Sequence, residues 1–177
     1  MAVHAVVVAG EPVLRQKAKK IKNFGPAVES LVQDMLESMH AADGLGLAAP
    51  QIGVPLRVII IEMPAEINEE GNETHPRELY VYCNPKIIKA DGEEEESEAC
   101  LSVPGYVGSV TRATRITVKG QDAQGRKVRT KAEGLLARAF QHEIDHLDGI
   151  LYIDRVDSSE KLRRIVDEEE EAASELI

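Results

Sequence analysis

Phe140-Gln141-His142-Glu143-Ile144-Asp145-His146-Leu147-Asp148-Gly149 is the stretch from which the rest of the chain is read. At an i, i+4 spacing, His142 and His146 share one face of a helix, one turn apart, so both imidazoles can reach a single metal ion. Glu143 adjoins the first histidine, where its carboxyl can reach a metal-bound water rather than the metal. A pair of surface histidines on an amphipathic helix is the plainer alternative. The helix is expected to open near Gly134 and to run to Gly149.

Upstream of this helix, Arg115 to Lys119 and Lys127 to Lys131 form a hairpin pattern around Gln121-Asp122-Ala123-Gln124-Gly125. Leu79 to Cys83 and Ile87 to Ala90 read as strands broken at Asn84-Pro85. Pro64 to Arg77 is polar and interrupted by Gly71 and Pro76, an exposed loop, whereas Leu56 to Ile61 barely alternates and reads as a buried strand. A helix follows Pro26, because Val28, Leu31, Val32, Met35, Leu36 and Met39 repeat at helical spacing, and Asp43-Gly44 suits its end. Downstream of the motif, Asp157 with Glu160 suggests a capped helix whose apolar stripe is Leu162, Ile165, Val166, Ala172, Ala173 and Leu176. Strands and helices mix without βαβ regularity. The expectation is an α+β fold: antiparallel or mixed sheets around a central helix carrying HExxH, with a C-terminal helix over 157–177, all in one domain, 1–177.

Composition narrows the function. The 177 residues carry 21 Lys+Arg against 31 Asp+Glu, a net −10, the wrong sign for a general nucleic-acid binder. Aromatics are 3% with no Trp, too few for base-stacking platforms. An apolar run of membrane-spanning length is missing, and the opening Met1 to Gly10 lacks the basic leader of a signal peptide. Two cysteines suit a reducing compartment rather than a disulfide scaffold.

A hydrolytic metal site wants three protein ligands and one open position. Asp148 follows the second histidine too closely to be the third ligand. Cys100, in Glu98-Ala99-Cys100-Leu101-Ser102-Val103-Pro104-Gly105, is the other candidate, since coordination deprotonates a thiol readily. Taken alone, it reads more readily as a small buried hydrophobe, and Cys83, inside an apolar strand, is assigned to that role outright. The third segment, Gly44-Leu45-Gly46-Leu47-Ala48-Ala49-Pro50-Gln51, has small residues that let backbone approach a ligand. Gln51 adds an amide donor suited to a developing oxyanion, while the Lys and Ser/Thr of a phosphate loop are missing.

Taken together, GLGLAAPQ (44–51), EACLS (98–102) and QHEIDH (141–146), in this order and spacing, resemble the three motifs of peptide deformylases. Pro12, Leu14-Arg15, Ala18, Asn84-Pro85 and Gly149 to Arg155 extend the resemblance over nearly the whole chain. It implies removal of the formyl group from the N-terminal formyl-methionine of nascent polypeptides. It implies that Cys100, His142 and His146 bind one divalent metal, ferrous iron natively, with zinc, nickel or cobalt able to substitute. Glu143 then serves as general base and later general acid, and the Gln51 amide and Leu101 backbone N–H hold the formyl oxygen.

A methionine pocket is expected where Leu135, Arg138 and Ala139 share the helical face of the histidines, with Leu45 opposite. The backbone of Gly44, Leu45, Gly46 and Leu47 is expected to pair with the substrate as an added strand. Asp145 either forms an ion pair with Arg112 that steadies the histidine helix or is simply exposed at the surface. Two departures stand out: Ala99 replaces the family's usual Gly, and the acid run Glu93 to Glu96 reads as a solvated loop that would disfavour acidic substrates if it reached the cleft. The acidic end of the chain does not resemble a basic ribosome-docking helix. Any transient ribosome contact falls to Lys17 to Lys22, Arg112, Arg115 and Lys119, with no membrane and no sequence-specific nucleic acid as partner. The location expected is the bacterial cytoplasm, with an organelle matrix as the alternative. Two rival functions follow from the same residues: a metallo-endopeptidase, which needs no Cys100, and an inactive relative that binds peptide termini.

Overall fold

Helix α1 (Pro26–Ala41) comes first in the computed structural model, which describes residues 2–165. Next are β1 (Gly46–Ala48), β2 (Val58–Met63), the short β3 (Glu66–Ile67) and β4 (Glu73–His75), and the long β5 (Glu78–Asp91). The chain then runs through β6 (Glu94–Cys100), β7 (Val103–Arg112), β8 (Arg115–Gln121), β9 (Lys127–Glu133), α2 (Gly134–Leu147) and β10 (Leu162–Arg164). One sheet has the order β1-β2-β5-β8-β9, a second β10-β7-β6, and β3-β4 is a separate ribbon. Every pairing between these strands is antiparallel, so the α+β expectation holds in its antiparallel form.

The poor alternation of Leu56 to Ile61 has a direct cause. In β2, Ile59 and Ile61 face α2, packing with Phe140, Ile144 and Leu147, while Val58 and Ile60 face α1, packing with Met35, Met39 and Leu47. Both faces of the strand are buried, so both parities must be apolar. Phe140 sits edge-on to Tyr80 and Tyr82, at centroid distances of 5.8 and 5.1 Å. Burying such a ring stabilises by roughly 2–3 kcal/mol. The opposite side of α2 meets the small sheet through polar contacts: Arg138 donates to the Val110 carbonyl on β7 and to Glu98 on β6. The histidine helix therefore lies between two sheets.

Four expectations change. Asn84-Pro85 does not divide two strands; it is a bulge inside β5, where Asn84 adopts φ 52°. Asn tolerates that conformation, and here its side chain also bonds both backbone groups of Ile21, at 2.9 Å each. Residues 64–77 are exposed but carry the β3-β4 ribbon. The acid run is not a loop: Glu94 to Glu96 open β6, an edge strand whose start faces solvent, so charge and strand are compatible. The helix expected from Asp157 is not formed in the described part. Ser158 caps a single turn, Ser159–Lys161, and the chain then pairs along β7, with Leu162 opposite Gly108. Leu162 packs with Val103, Val110, Leu151 and Tyr152, so the strand both covers the β7 edge and buries the apolar residue that had suggested a helix. Val166, Ala172, Ala173 and Leu176 of that stripe lie outside the described residues. No described helix is long and apolar enough to cross a membrane.

Candidate active site

Two elements converge on one point. Cys100 is the last residue of β6, ahead of the Leu101-Ser102 turn, and His142 and His146 project from successive turns of α2. One ligand atom from each of the three lies within 4.8 Å of the others, and Cys100 Sγ is 3.3 Å from His146 Nε2. A tetrahedral ion with metal–sulfur and metal–nitrogen distances of about 2.3 and 2.0 Å has S···N edges of about 3.5 Å, so this donor set fits one. Thiolate and imidazole suit zinc, iron, nickel and cobalt rather than magnesium or calcium.

Glu98 fixes the first histidine. Its carboxylate, an acceptor only, lies 2.9 Å from His142 Nδ1, which must therefore carry the proton and leave Nε2 as the donor to a metal. The same carboxylate accepts from Arg112 Nε (2.8 Å), Arg112 Nη2 (2.9 Å) and Arg138 Nη1 (2.8 Å). Burial alone would raise the Glu98 pKa, but Arg112 and His142 outweigh it and hold the carboxyl far below its ordinary range. Burial likewise pulls His142 down, but its hydrogen bonds to Cys100 and Glu98 prevail and carry it up to about 10 when no ion is present. His146, buried and facing His142, is pushed well below the usual value. The Asp145–Arg112 pair is present at 2.5 Å, and Arg155 adds a second guanidinium to Asp145 at 2.5 and 2.6 Å. Sequence reading missed Glu98, Arg155 and the role of Arg138. For Glu98 a signal existed: two residues before Cys100 in a strand, it shares the face of the thiol.

The cleft beside this cluster has a volume of about 440 Å³. Gly44, Leu45 and Gly46 line one side, Leu101 the rim, and Leu135, Ala139, His142 and Glu143 the helix wall. Leu47 does not line it; fully buried, its side chain belongs to the α1 core. Arg138 reaches the cleft wall, yet its guanidinium is spent on Glu98, Glu96 and the carbonyls of Val110 and Glu94. Glu93 to Glu96 do not line the cleft, whereas Tyr106 and Ile165 do, neither of them expected at the site.

Gln51 is buried, its Oε1 accepting from Ala48 N at 2.8 Å, which aims Nε2 toward Ser102 Oγ (3.2 Å) and Cys100 Sγ (3.7 Å). Glu143 is also buried, and its Oε2 has no hydrogen-bond partner among the described residues. Burial raises that carboxyl to about 7, against the pull of His142. The carboxyl lies against Gly46, where an added Cβ would stand 2.6 Å from Oε1. Only glycine leaves that space.

Two imidazoles, a thiol and a buried carboxyl poised near neutrality, beside an apolar cleft, are the equipment of one class, the metal-dependent hydrolases. The sequence profile described as polypeptide deformylase matches residues 3–162. A peptide deformylase of Thermomicrobium roseum is 48% identical over 173 residues, 98% of this chain and 97% of that one. The crystal structure of a peptide deformylase from Legionella pneumophila superposes with a TM-score of 0.79 at 40% identity, covering 90% and 89% of the two chains. That from Ehrlichia chaffeensis gives 0.81 at 34%, covering 99% and 97%. The chain belongs to the polypeptide deformylase family. Its reaction is hydrolytic removal of the N-formyl group from the terminal formyl-methionine of nascent polypeptides, with release of formate.

Proposed function

We propose that Cys100, His142 and His146 hold a single ferrous ion and that Glu143, Gln51 and Leu101 carry the chemistry around it. The observation that carries this reading is the convergence of the three donor atoms within 4.8 Å beside Glu143, whose Oε2 is unpartnered among the described residues. When bound, the ion supplies Lewis acidity, bringing the pKa of a coordinated water toward about 7 and polarising the formyl oxygen. Glu143, near 7, is suited first to take a proton from the attacking water and then to deliver it to the amine nitrogen, which leaves only once protonated. Its position against Gly46 keeps the carboxyl from turning away from the histidines.

Gln51 Nε2 and the Leu101 backbone N–H are the donors for the oxyanion. The Gln51 amide is pre-oriented by its bond to Ala48, so no reorganisation is needed as charge develops. The methionine side chain enters between Leu45 and the Leu135–Ala139 wall, where the small Ala139 leaves room for an unbranched thioether. Arg138 supports this wall from behind rather than touching substrate. The edge position of β1 supports main-chain pairing with the peptide along Gly44 to Gly46, a mode that tolerates many sequences. The enzyme works in the bacterial cytoplasm on chains emerging from the ribosome.

The test is anaerobic deformylation of formyl-Met-Ala-Ser by protein reconstituted with Fe²⁺, Ni²⁺ or Zn²⁺, beside Cys100→Ala and Glu143→Ala. Expected are rapid amine release by the Fe²⁺ and Ni²⁺ forms, loss of metal and turnover in Cys100→Ala, and loss of turnover with metal retained in Glu143→Ala. Turnover surviving in Cys100→Ala would overturn the ligand assignment.

A further inference from the structure

A second concavity, ringed by basic side chains, lies where the β5 bulge meets β8, β9 and the N-terminal segment. It is an open groove of about 860 Å³ and shares no residue with the active-site cleft. Lys17, Lys20, Lys86, Lys119, Lys127 and Arg129 surround it, all exposed. None of the six has an ion-pair partner among the described residues, whereas Arg57, deeper in the groove, is bound to Asp148.

The register makes this more than an accumulation of lysines. Lys86 on β5 stands directly opposite Lys119 on β8, and Lys119 directly opposite Arg129 on β9. Three like charges thus run in a row across three neighbouring strands, at steps of about 5 Å. Like charges in directly opposed positions destabilise a sheet, so the row works against the fold. It also stands in a chain of net charge −10, where acids are plentiful but are placed elsewhere. No aromatic residue lines the groove. A partner is therefore a polyanion recognised by charge alone, without stacking on its bases.

We propose that this face docks on the phosphate backbone of structured RNA, holding the enzyme where its substrates emerge. The choice of RNA rests on the deformylase reading, since nascent chains leave an RNA-rich particle; the basic groove itself does not. The whole-chain charge had argued against nucleic acid, because the acids conceal the patch in the sum. Of the basic residues singled out from sequence, Lys17, Lys20 and Lys119 belong to the face. Arg112 does not, being buried against Glu98 and Asp145.

The test is fluorescence anisotropy with a mixed-sequence 20-base-pair RNA duplex and the full metal-loaded chain, from 50 to 200 mM KCl. Contact with about five phosphates predicts a log–log salt slope near −4.5, roughly a 500-fold loss of affinity over that range. Lys119→Gln/Lys127→Gln/Arg129→Gln is expected to weaken binding at least tenfold at 50 mM and flatten the slope by about 2–3, with formyl-Met-Ala-Ser turnover unchanged. Lys86→Gln alone, should the triple variant fold poorly, is expected to flatten it by about one. Absence of salt-dependent binding by the parent, unchanged binding by both variants, or tighter binding of a poly-glutamate of equal charge would each overturn the RNA assignment. Failure of the parent to turn over substrate would strike the deformylase reading instead.

Discussion

Gly46→Ala is the sharpest probe of the active site, because one methyl group meets one carboxyl. The new Cβ would lie 2.6 Å from Glu143 Oε1, 3.0 Å from Cδ and 3.1 Å from Cγ. Regaining an ordinary contact of 3.4 Å requires a relative movement of roughly 0.8 Å. The strand cannot yield cheaply, since Gly46 is in register with Ile61 on β2. The carboxyl must therefore move, and it is buried on a helix packed between two sheets. A displacement of this size at a general base predicts a fall in kcat of about 10²-fold, or about 2.7 kcal/mol. Overpacking adds a stability loss of about 1–3 kcal/mol. The assay is steady-state deformylation of formyl-Met-Ala-Ser, with metal content measured on the same sample and unfolding followed in urea. Gly44→Ala is the control: its Cβ meets the end of the Leu101 side chain at 2.8 Å, which can swing aside, so a loss below tenfold is expected. Wild-type kcat in Gly46→Ala, or lost metal with the ion-loaded rate intact, would refute the reasoning.

Glu98→Gln leaves Arg112 and Arg138 buried against a neutral amide and frees His142. Metal affinity should fall about 10–100-fold and stability by about 3–5 kcal/mol, read by metal competition and urea unfolding. Burial works to raise the Glu62 carboxyl, but His40 and Arg77 outweigh it and hold its pKa below 4.5. A depressed folded-state value stabilises above the unfolded pKa and is lost as pH falls through the folded one. The stability gap between wild type and Glu62→Gln should therefore close as pH falls through the folded-state value, as followed by urea midpoints from about pH 6 down to about pH 3. Cys83, fully buried with its thiol pushed up to about 11, should resist iodoacetamide at pH 8 until the protein unfolds, which mass spectrometry of native and denatured samples would check.

The motifs made much of the site legible because their chemistry is local. His142, Glu143 and His146 depend only on helical spacing, and α2 ends within two residues of Gly149. What failed to read was set by tertiary pairing. Glu94 to Glu96 carry a loop-like composition but become an edge strand once β7 offers its hydrogen bonds, and Leu162 satisfies a helical stripe and a strand equally until the cluster around Tyr152 selects the strand. Glu98 stood among four neighbouring acids, and only its strand parity with Cys100 set it apart, a signal that needs β6 to be recognised as a strand first. Leu47 was expected to offer its backbone, and its side chain, turned into the α1 core by alternation along β1, bears on packing rather than on that role.

The two-sided burial of β2 sets how this protein comes apart. The core under α2 and the core under α1 share that strand, so neither helix can detach without exposing one of its faces to water. Partial opening of the α1 side alone would uncover Val58 and Ile60 while Ile59 and Ile61 stayed packed on a strand that had lost half its support. The two layers are thus expected to melt as one cooperative unit, with the β2 amides exchanging their hydrogens only through global unfolding.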